Sequence, residues 1–242
     1  MPALAEPNTI APVETAPASR PVIFRAPPLT PELSGAIALI APHFNFRTDE
    51  TARVTWERDQ NETCWGEFDA LKPVLTTMPA PKKILELGPG MGRSAVFFNK
   101  ILGWGKSEFT LYEGDGNTTK YALLGNRSTD TFCGNIPLLQ QCLAYNRMSN
   151  YNIVDAHANN LRDLPGGYQF IYSFYSIGFH WSLEHFLDDL LPLMDKNALA
   201  AFTIPAVFKE FSGLNAVAHE FVEWTPVWPK GAKNLRFLLL RT

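Results

Sequence analysis

Three glycines at alternate positions follow a short apolar run that carries one carboxylate, Glu86. They are Gly88, Gly90 and Gly92, and a helical pattern begins directly afterwards at Arg93. Glycine is needed where the backbone takes a positive φ or where a ligand approaches without a Cβ in the way, and the free N–H groups of the following helix point back at that ligand. The stretch therefore predicts a strand, a tight turn and a helix that bind a nucleotide-like cofactor.

The spacing of these glycines separates two classes of cofactor. A dinucleotide-binding turn requires Gly at the first, third and sixth positions, but Arg93 stands at the sixth and Gly92 comes one place early. This counts against a nicotinamide-dependent reductase. The pattern ELGPGMG instead resembles the first motif of the class I S-adenosylmethionine-dependent methyltransferases. The resemblance implies S-adenosyl-L-methionine as the cofactor, with the turn under its methionine end and Glu86 near its amino group.

Two further acids follow predicted strands. Glu113 ends the second strand, 25 residues after Gly88, where one carboxylate can accept hydrogen bonds from both ribose hydroxyls, and Asp115 is its rival for that role. Asp155 and Ala156 follow the third strand and precede a Leu-Pro loop, which resembles the methyltransferase pattern in which the Asp accepts from the adenine amino group. The predicted cofactor-binding set is Glu86, Gly88, Gly90, Gly92, Glu113, Gly114, Asp115, Asp155, Ala156, His157, Ser173 and Phe174.

The residues after the fourth strand are candidates for the acceptor side. His180 is the first candidate for a base that takes a proton from a hydroxyl acceptor, with packing in the loop as the alternative, and His185 is the second candidate. Tyr175, His180 and Trp181 form the predicted substrate-binding set, and the aromatic rings offer flat faces to a ring-shaped substrate.

Two kinds of methyl transfer lack their signature in this sequence. No cluster of Asp, Asn and His with ligand spacing supports a metal-assisted mechanism, so no metal is predicted. Ser-Phe-Tyr-Ser follows the fourth strand where N-methyltransferases of nucleobases and amides carry an Asn/Asp-Pro-Pro-Tyr/Phe motif. The departure favours transfer to oxygen or to the nitrogen of a small molecule.

The elements that must position these residues form an α/β fold. We expect a doubly wound, mostly parallel seven-stranded sheet with a C-terminal antiparallel hairpin and a small helical N-terminal cap. Predicted strands are Lys83–Leu87, Phe109–Tyr112, Asn152–Val154, Gln169–Phe174, Ala200–Ile204, Val222–Val227 and Leu235–Arg241. Predicted helices span 30–42, with Thr30 as N-cap, then 65–78, 93–102, 117–124, 136–147, a helix from Ser182, and 208–221.

Composition divides the chain into three parts. Residues 1–29 are dense in Pro and Ala and predict a flexible tail, with an arm that docks on a partner subunit through Val22-Ile23-Phe24 as the alternative. Residues 30–80 are predicted to form the helical cap, and residues 81–242 the S-adenosylmethionine-binding domain. The polar stretch 125–135 is a candidate lid or a passive surface insertion.

Charge and cysteine content narrow the partners. A net charge of −3 lacks the basic excess expected of a protein that tracks phosphate backbones, so nucleic acid is not an expected partner. Three scattered cysteines indicate reduced thiols rather than a disulfide framework. The sequence has no run of about 18 apolar residues and no secretory signal, so we expect no membrane span and a cytoplasmic location.

Together these features predict a methyltransferase that acts on a small molecule, with O-methylation of a sugar or natural-product hydroxyl as the first expectation. A small-molecule N-methyltransferase is one alternative. Another, from a different class, is a catalytically inactive methyltransferase-like scaffold subunit that contacts a partner, or a second copy, through its N-terminal arm.

Overall fold

The computed structural model of the protein describes residues 20–31, 33–34, 50–114, 135–178, 181–205, 208, 210–224 and 235–242. Seven strands in these ranges form one sheet, in the order β3-β2-β1-β4-β5-β7-β6. The strands are β1 (Lys83–Leu87), β2 (Glu108–Glu113), β3 (Tyr151–Asp155), β4 (Tyr168–Ser173), β5 (Met194–Ile204), β6 (Ala218–Trp224) and β7 (Leu235–Arg241).

The pairing of the strands confirms the predicted fold class. Strands β1 to β5 pair in parallel, whereas β7 pairs antiparallel with both β5 and β6. β1 lies in the middle, with β2 and β3 on one side and β4 and β5 on the other. The strand order therefore reverses between β1 and β4, which is where a doubly wound sheet opens a ligand crevice at its carboxyl edge.

The helices of the described ranges cover the two faces of this sheet. Two apolar clusters, one on each face, contain the inner residues of the strands. None of these helices is long and apolar enough to span a membrane. The helices are α1 (Glu50–Leu75), α2 (Arg93–Ile101), α3 (Ile136–Tyr145), and the short α4 (Leu187–Leu190) and α5 (Ser212–Asn215).

The N-terminal helix corrects one prediction. The expected helix 65–78 begins much earlier, at Glu50, and contains Pro73. Its buried face carries polar side chains, among them Glu57, Gln60, Asn61 and Glu67, beside the apolar ones. Because these polar positions interrupt the 3.6-residue apolar period, the pattern was visible only in the second half of the helix.

Two predicted helices in the C-terminal half are also wrong. The stretch from Ser182 is broken into 3-10 turns at Leu183–His185 and Leu191–Leu193 around α4, where Pro192 removes a backbone donor. The stretch 208–221 holds only the four residues of α5 before β6 begins at Ala218. Residues 218–224 pair along the whole of β7, so tertiary pairing overrides their local helical pattern. The predicted helix 117–124 and nearly all of the stretch 125–135 lie outside the described residues.

The segment after residue 19 is packed rather than a tail. Phe24 and Ala26 are fully buried in the chain's own core, and the Phe24 ring meets Trp56 of α1 edge to face at 5.9 Å. The predicted tail thus includes a stretch, residues 23–27, that packs against the rest of the chain, and Phe24 is not available to a partner subunit. Residues 1–19 lie outside the described residues, and the division into cap and domain near residue 80 stays a prediction.

Side chains of two helices bind the backbone of this segment. Asn61 Oδ1 accepts from the N–H groups of Ile23 and Phe24 at 2.7 and 2.9 Å, and Asn61 Nδ2 donates to Phe24 O at 2.8 Å. Asn146 caps the end of α3. Its Oδ1 accepts the N–H of Arg25 at 2.8 Å, and its Nδ2 donates to the carbonyl oxygen of Arg25 at 2.7 Å. Residues 20–26 therefore form a strap that joins α1 to the end of α3. The strap is held through its main chain, so these hydrogen bonds do not depend on its own side chains.

Replacing Asn61 with Ala is expected to lower the free energy of unfolding by about 2–4 kcal/mol, because it leaves buried backbone N–H groups of the strap without an acceptor. Urea unfolding followed by circular dichroism measures the change. Glu62→Gln is the matched control: it alters only a long 3.9 Å contact with Arg58 on the same helix, so it should shift stability by less than about 1 kcal/mol. Equal effects of the two substitutions would contradict the strap.

Candidate functional site

The turn after β1 is built from glycines that no other residue replaces easily. Gly88, Gly90 and Gly92 all have positive φ, at 68°, 59° and 74°. The turn is closed by hydrogen bonds from Gly88 N to Tyr112 O and from Gly92 N to Pro89 O, both 2.9 Å. A Cβ on Gly88 would lie 2.4 Å from the Cβ of Ser176, so the loop after β4 approaches this turn directly.

Glu113 joins the end of β2 to this turn. Its Oε2 accepts the N–H of Gly90 at 2.7 Å, and its side chain is almost completely buried. Burial raises the pKa of Glu113 to about 7, although hydrogen bonds from the Gly90 and Gly114 amides act in the opposite direction. Glu113, the acid predicted for the ribose, is therefore hydrogen-bonded to the glycine turn.

The ends of β2 and β3 bring the next predicted residues together. Glu113 and Asp155 are neighbours in the parallel register, and Ala156 N donates to Glu113 O at 2.8 Å. Asp155 Oδ1 accepts the N–H of His157 at 2.8 Å, which shapes the turn after β3. A Cβ on Gly114 would lie 3.1 Å from the Ala156 Cβ and 3.5 Å from His157 Nε2, so both side chains cover Gly114. Asp115 lies outside the described residues.

Three other predicted cofactor residues are buried and make contacts within the protein. The Tyr172 hydroxyl donates to Glu86 Oε2 at 2.8 Å, and burial raises the pKa of Glu86 to about 8. Ser173 Oγ donates to Leu87 O at 2.7 Å and accepts the N–H of Ile177 at 2.9 Å. Phe174 packs against other aromatic rings of the core. Of these three, Glu86 adds a carboxyl group beside the turn, whereas Ser173 and Phe174 hold the strand ends in place.

The predicted acceptor residues are only partly described. Tyr175 is half-buried and has a positive φ of 66°, and its ring meets Trp224 at 6.1 Å. Trp181 is half-buried, and its backbone N–H donates to Ser176 O at 3.1 Å. His185 is an exposed residue of the 3-10 turn Leu183–His185. His180 lies outside the described residues, and its role as base stays a prediction.

Sequence reasoning missed the charged residues behind the turn. Arg93 forms a bidentate ion pair with Glu67 of α1, at 2.8 and 2.6 Å, and its Nη1 lies 3.0 Å from Cys64 Sγ. A positive charge at the first position of a helix is unfavourable with the helix dipole, so an Arg there indicates a compensating acid nearby. That signal could have been noticed, but it does not identify Glu67. The described ranges contain no group of three or more side chains that could hold a metal ion.

The order of the strands now decides the fold. A parallel sheet with β1 at its centre, closed by an antiparallel β6-β7 pair and carrying the glycine turn after β1, is the arrangement that the sequence resemblance implied. The chain has the class I methyltransferase fold. The expected seven-stranded sheet and C-terminal hairpin are confirmed.

Comparisons with known proteins found similarity to solved structures. No family model and no curated protein matches the chain. Solved structures similar to it include the plantazolicin methyltransferase BpumL in complex with SAH (TM-score 0.47, 13% identity, covering 87% of this chain and 96% of that one). A SAM-dependent methyltransferase from Aquifex aeolicus has TM-score 0.47 and 11% identity, covering 72% of this chain and 92% of that one. TrmN from Thermus thermophilus has TM-score 0.47 and 14% identity over 72% of this chain.

These likenesses differ in how much of each protein they include. The chain spans 47% of the length of TrmN and 62% of the length of a matching protein from Pyrococcus horikoshii. At a TM-score of 0.47 and 11 to 14% identity these three likenesses carry no argument about this chain, so the argument about activity rests on the residues of the site.

The buried carboxyl groups of Glu86 and Glu113 predict how stability depends on pH. The pKa values of Glu113 and Glu86 are raised from 4.5 to about 7 and about 8, so between these limits the folded state binds more protons than the unfolded state. Stability should therefore fall as pH rises, by about 1.4 kcal/mol per pH unit for each such group. Both groups contribute between about pH 5 and 7, only Glu86 between about 7 and 8, and neither above.

Glu86→Gln should remove one of these contributions. Compared with the wild type, its unfolding free energy should depend less steeply on pH from about 5 to 8, with a gain in relative stability at pH 8 because no charge is then buried beside Tyr172. Urea unfolding at each pH measures the difference, and Glu184→Gln, which changes an exposed acid, is the control. Parallel curves for wild type and Glu86→Gln would contradict the assignment.

Proposed function

We propose that this protein is an S-adenosylmethionine-dependent methyltransferase. The observation that carries the proposal is the link between Gly90 N–H and Glu113 at 2.7 Å, which places an acid of the second strand against a turn of left-handed glycines. This contact lies at the carboxyl edge beside the β1/β4 reversal, where doubly wound sheets bind their ligands. In the family that this turn resembles, the turn lies under the methionine end of the cofactor, which carries no phosphate group.

The residues present fit the cofactor. Along the sheet edge the glycine turn, Glu113 and Asp155 follow in the order β1, β2, β3, and neighbouring strands lie about 4.8 Å apart, so the three ends span about 10 Å. In this proposal the turn holds the methionine end with Glu86 near its amino group, Glu113 holds the ribose, and Asp155 the adenine amino group. Ala156 and His157, which cover Gly114, complete the adenine side.

The chemistry sets what the protein itself must supply. The cofactor carries a methyl group on a sulfonium that leaves readily, so transfer is an in-line displacement for which alignment and exclusion of water are the main requirements. The glycine turn and the acids orient one reactant, and the loop after β4 lies against Gly88 and limits access of water from that side. A hydroxyl acceptor also benefits from a base that takes its proton.

For the acceptor we propose a small molecule, with a sugar or natural-product hydroxyl first and a small-molecule nitrogen second. The net charge of −3 and the aromatic Tyr175 and Trp181 after β4 support this choice over a phosphate-rich polymer. His180 is the proposed base and His185 the second candidate. A cytoplasmic location and an association with a second copy or a partner subunit are further parts of the proposal.

One observation favours the second candidate, a catalytically inactive scaffold with this fold. Glu113 is almost completely buried and already accepts from the Gly90 and Gly114 amides, so it could serve the turn instead of a ribose. Against this candidate, Phe24 of the arm is buried in the chain's own core and does not offer a partner surface.

Calorimetric titration with S-adenosylmethionine and S-adenosylhomocysteine separates the two. We expect binding by the wild type and loss of binding in Glu113→Ala and in Gly88→Ala, whose Cβ would collide with Ser176. Gly105→Ala is the matched control, because nothing lies within 4 Å of the added Cβ, and it should bind like the wild type. If the wild type shows no heat of binding at millimolar cofactor, the methyltransferase proposal is wrong.

The base assignment predicts a separation of turnover from binding. His180→Ala should lower methyl transfer on the order of 10²-fold or more, because a placed base typically contributes that much, while the affinity for S-adenosylhomocysteine stays nearly unchanged. Transfer is measured by mass spectrometry with methyl-labelled cofactor and a small-molecule extract. His185→Ala is the comparison and should retain most of the transfer. Loss of cofactor affinity together with turnover in His180→Ala would indicate packing instead of proton transfer.

A further inference from the structure

The guanidinium of Arg93 lies at a meeting point of three parts of the structure. Arg93 is the first residue of α2 and follows the glycine turn directly. Its two terminal nitrogens bind the two carboxylate oxygens of Glu67 on α1, at 2.8 and 2.6 Å, in the fork geometry of the strongest ion pairs. The side chains of Arg93 and Glu67 are 13% and 1% exposed, so neither charge is screened by water to any extent.

The third part is the loop after β4. The Arg93 guanidinium carbon lies 5.8 Å from the centre of the Tyr175 ring, within range of a cation–π contact. Tyr175 has a φ of 66°, a backbone conformation that a bulky residue keeps only when its surroundings fix it. The next residue, Ser176, lies against Gly88 of the turn. The placement of Tyr175 therefore affects how the loop after β4 packs against the glycine turn.

Glu67 fixes the guanidinium that makes these contacts. Burial on its own lowers the pKa of Arg93, but the Glu67 carboxylate raises it well above its ordinary value, so the arginine stays charged. Its only carboxylate partner among the ion pairs of the described residues is Glu67. A buried arginine without its acid would be driven to another position, because an unpaired buried charge is strongly unfavourable.

We propose that Glu67 is a positioning residue of the site: acting through Arg93, it holds Tyr175 and the loop after β4 against the glycine turn. The effect on cofactor binding rests on the proposed function, whereas the effect on the loop does not. The N-terminal helix is thereby part of the site although none of its residues belongs to the sequence-predicted set.

Hydrogen exchange measures the effect on the loop without any cofactor. In Glu67→Gln the amides of Ile177, Gly178 and the glycine turn, which are hydrogen-bonded, should exchange faster, while those of β5 and β7 keep the wild-type rate. Asp69→Asn is the matched control, because it removes an exposed ion pair with Arg20 two residues further along α1. Unchanged exchange in the loop, or an equal increase through the whole sheet, would overturn the proposal.

A second variant tests whether Glu67 acts through Arg93. Once Arg93→Gln is present, adding Glu67→Gln should produce no further increase of exchange in the loop. Calorimetry with S-adenosylhomocysteine gives the functional readout: Glu67→Gln should weaken binding on the order of tenfold, a value within the usual range for coupling between neighbouring sites. Wild-type protein that fails to bind would refute the methyltransferase proposal alone, since the exchange result still decides the role of Glu67. Additive effects of the two substitutions would refute the role of Glu67.

Discussion

The site depends on one hydrogen bond that joins two strands, from the Gly90 amide to the Glu113 carboxylate. It requires a turn whose backbone points an N–H at the neighbouring strand, and the left-handed glycines on either side of Pro89 and Met91 provide that shape. It also requires the acid to be the last residue of β2, since a shift of one position would place the side chain on the other face of the sheet. The parallel register of β1 and β2 and the glycine spacing are therefore parts of the same constraint.

Three acids are buried near this hydrogen bond, and within the described ranges only one of them is paired with a cation. Glu67 is neutralised by Arg93, but Glu86 is hydrogen-bonded to a neutral Tyr172 hydroxyl and Glu113 to backbone amides. Burial raises the pKa of all three carboxyl groups because it disfavours their ionised forms, although Arg93 opposes this shift at Glu67. A cation that binds beside them would favour their ionisation, which is the sign of interaction expected for a ligand with a sulfonium and an ammonium group. A dinucleotide, with its anionic phosphates, would meet the opposite sign.

Sequence patterns were sufficient wherever one local rule decided the structure. The bounds of β1 and β7 agree with the predicted strands, and the glycine turn and Glu113 lie where their spacing indicated. The misses at α1 and β6 share a cause, because each of these elements depends on another part of the chain, whereas the helix predicted from Ser182 is broken near Pro192 within its own stretch. The polar side chains on the inner face of α1 are explained by their partners, the strap and Arg93. Likewise, β6 is a strand because it pairs with β7.

The strap and the ion pair act on the same helix, and this links the N-terminal segment to the site. Asn61, which binds the strap, and Glu67, which binds Arg93, are six residues apart on α1, or about 9 Å along the helix axis. Both make their contacts from the buried face, so the helix cannot turn about its axis without loss of one set or the other. The helix is therefore held at two points, by the strap and by the ion pair behind the glycine turn. Residues 20–26 therefore belong to the structural support of the site, although they are distant from it in sequence and carry none of its chemistry.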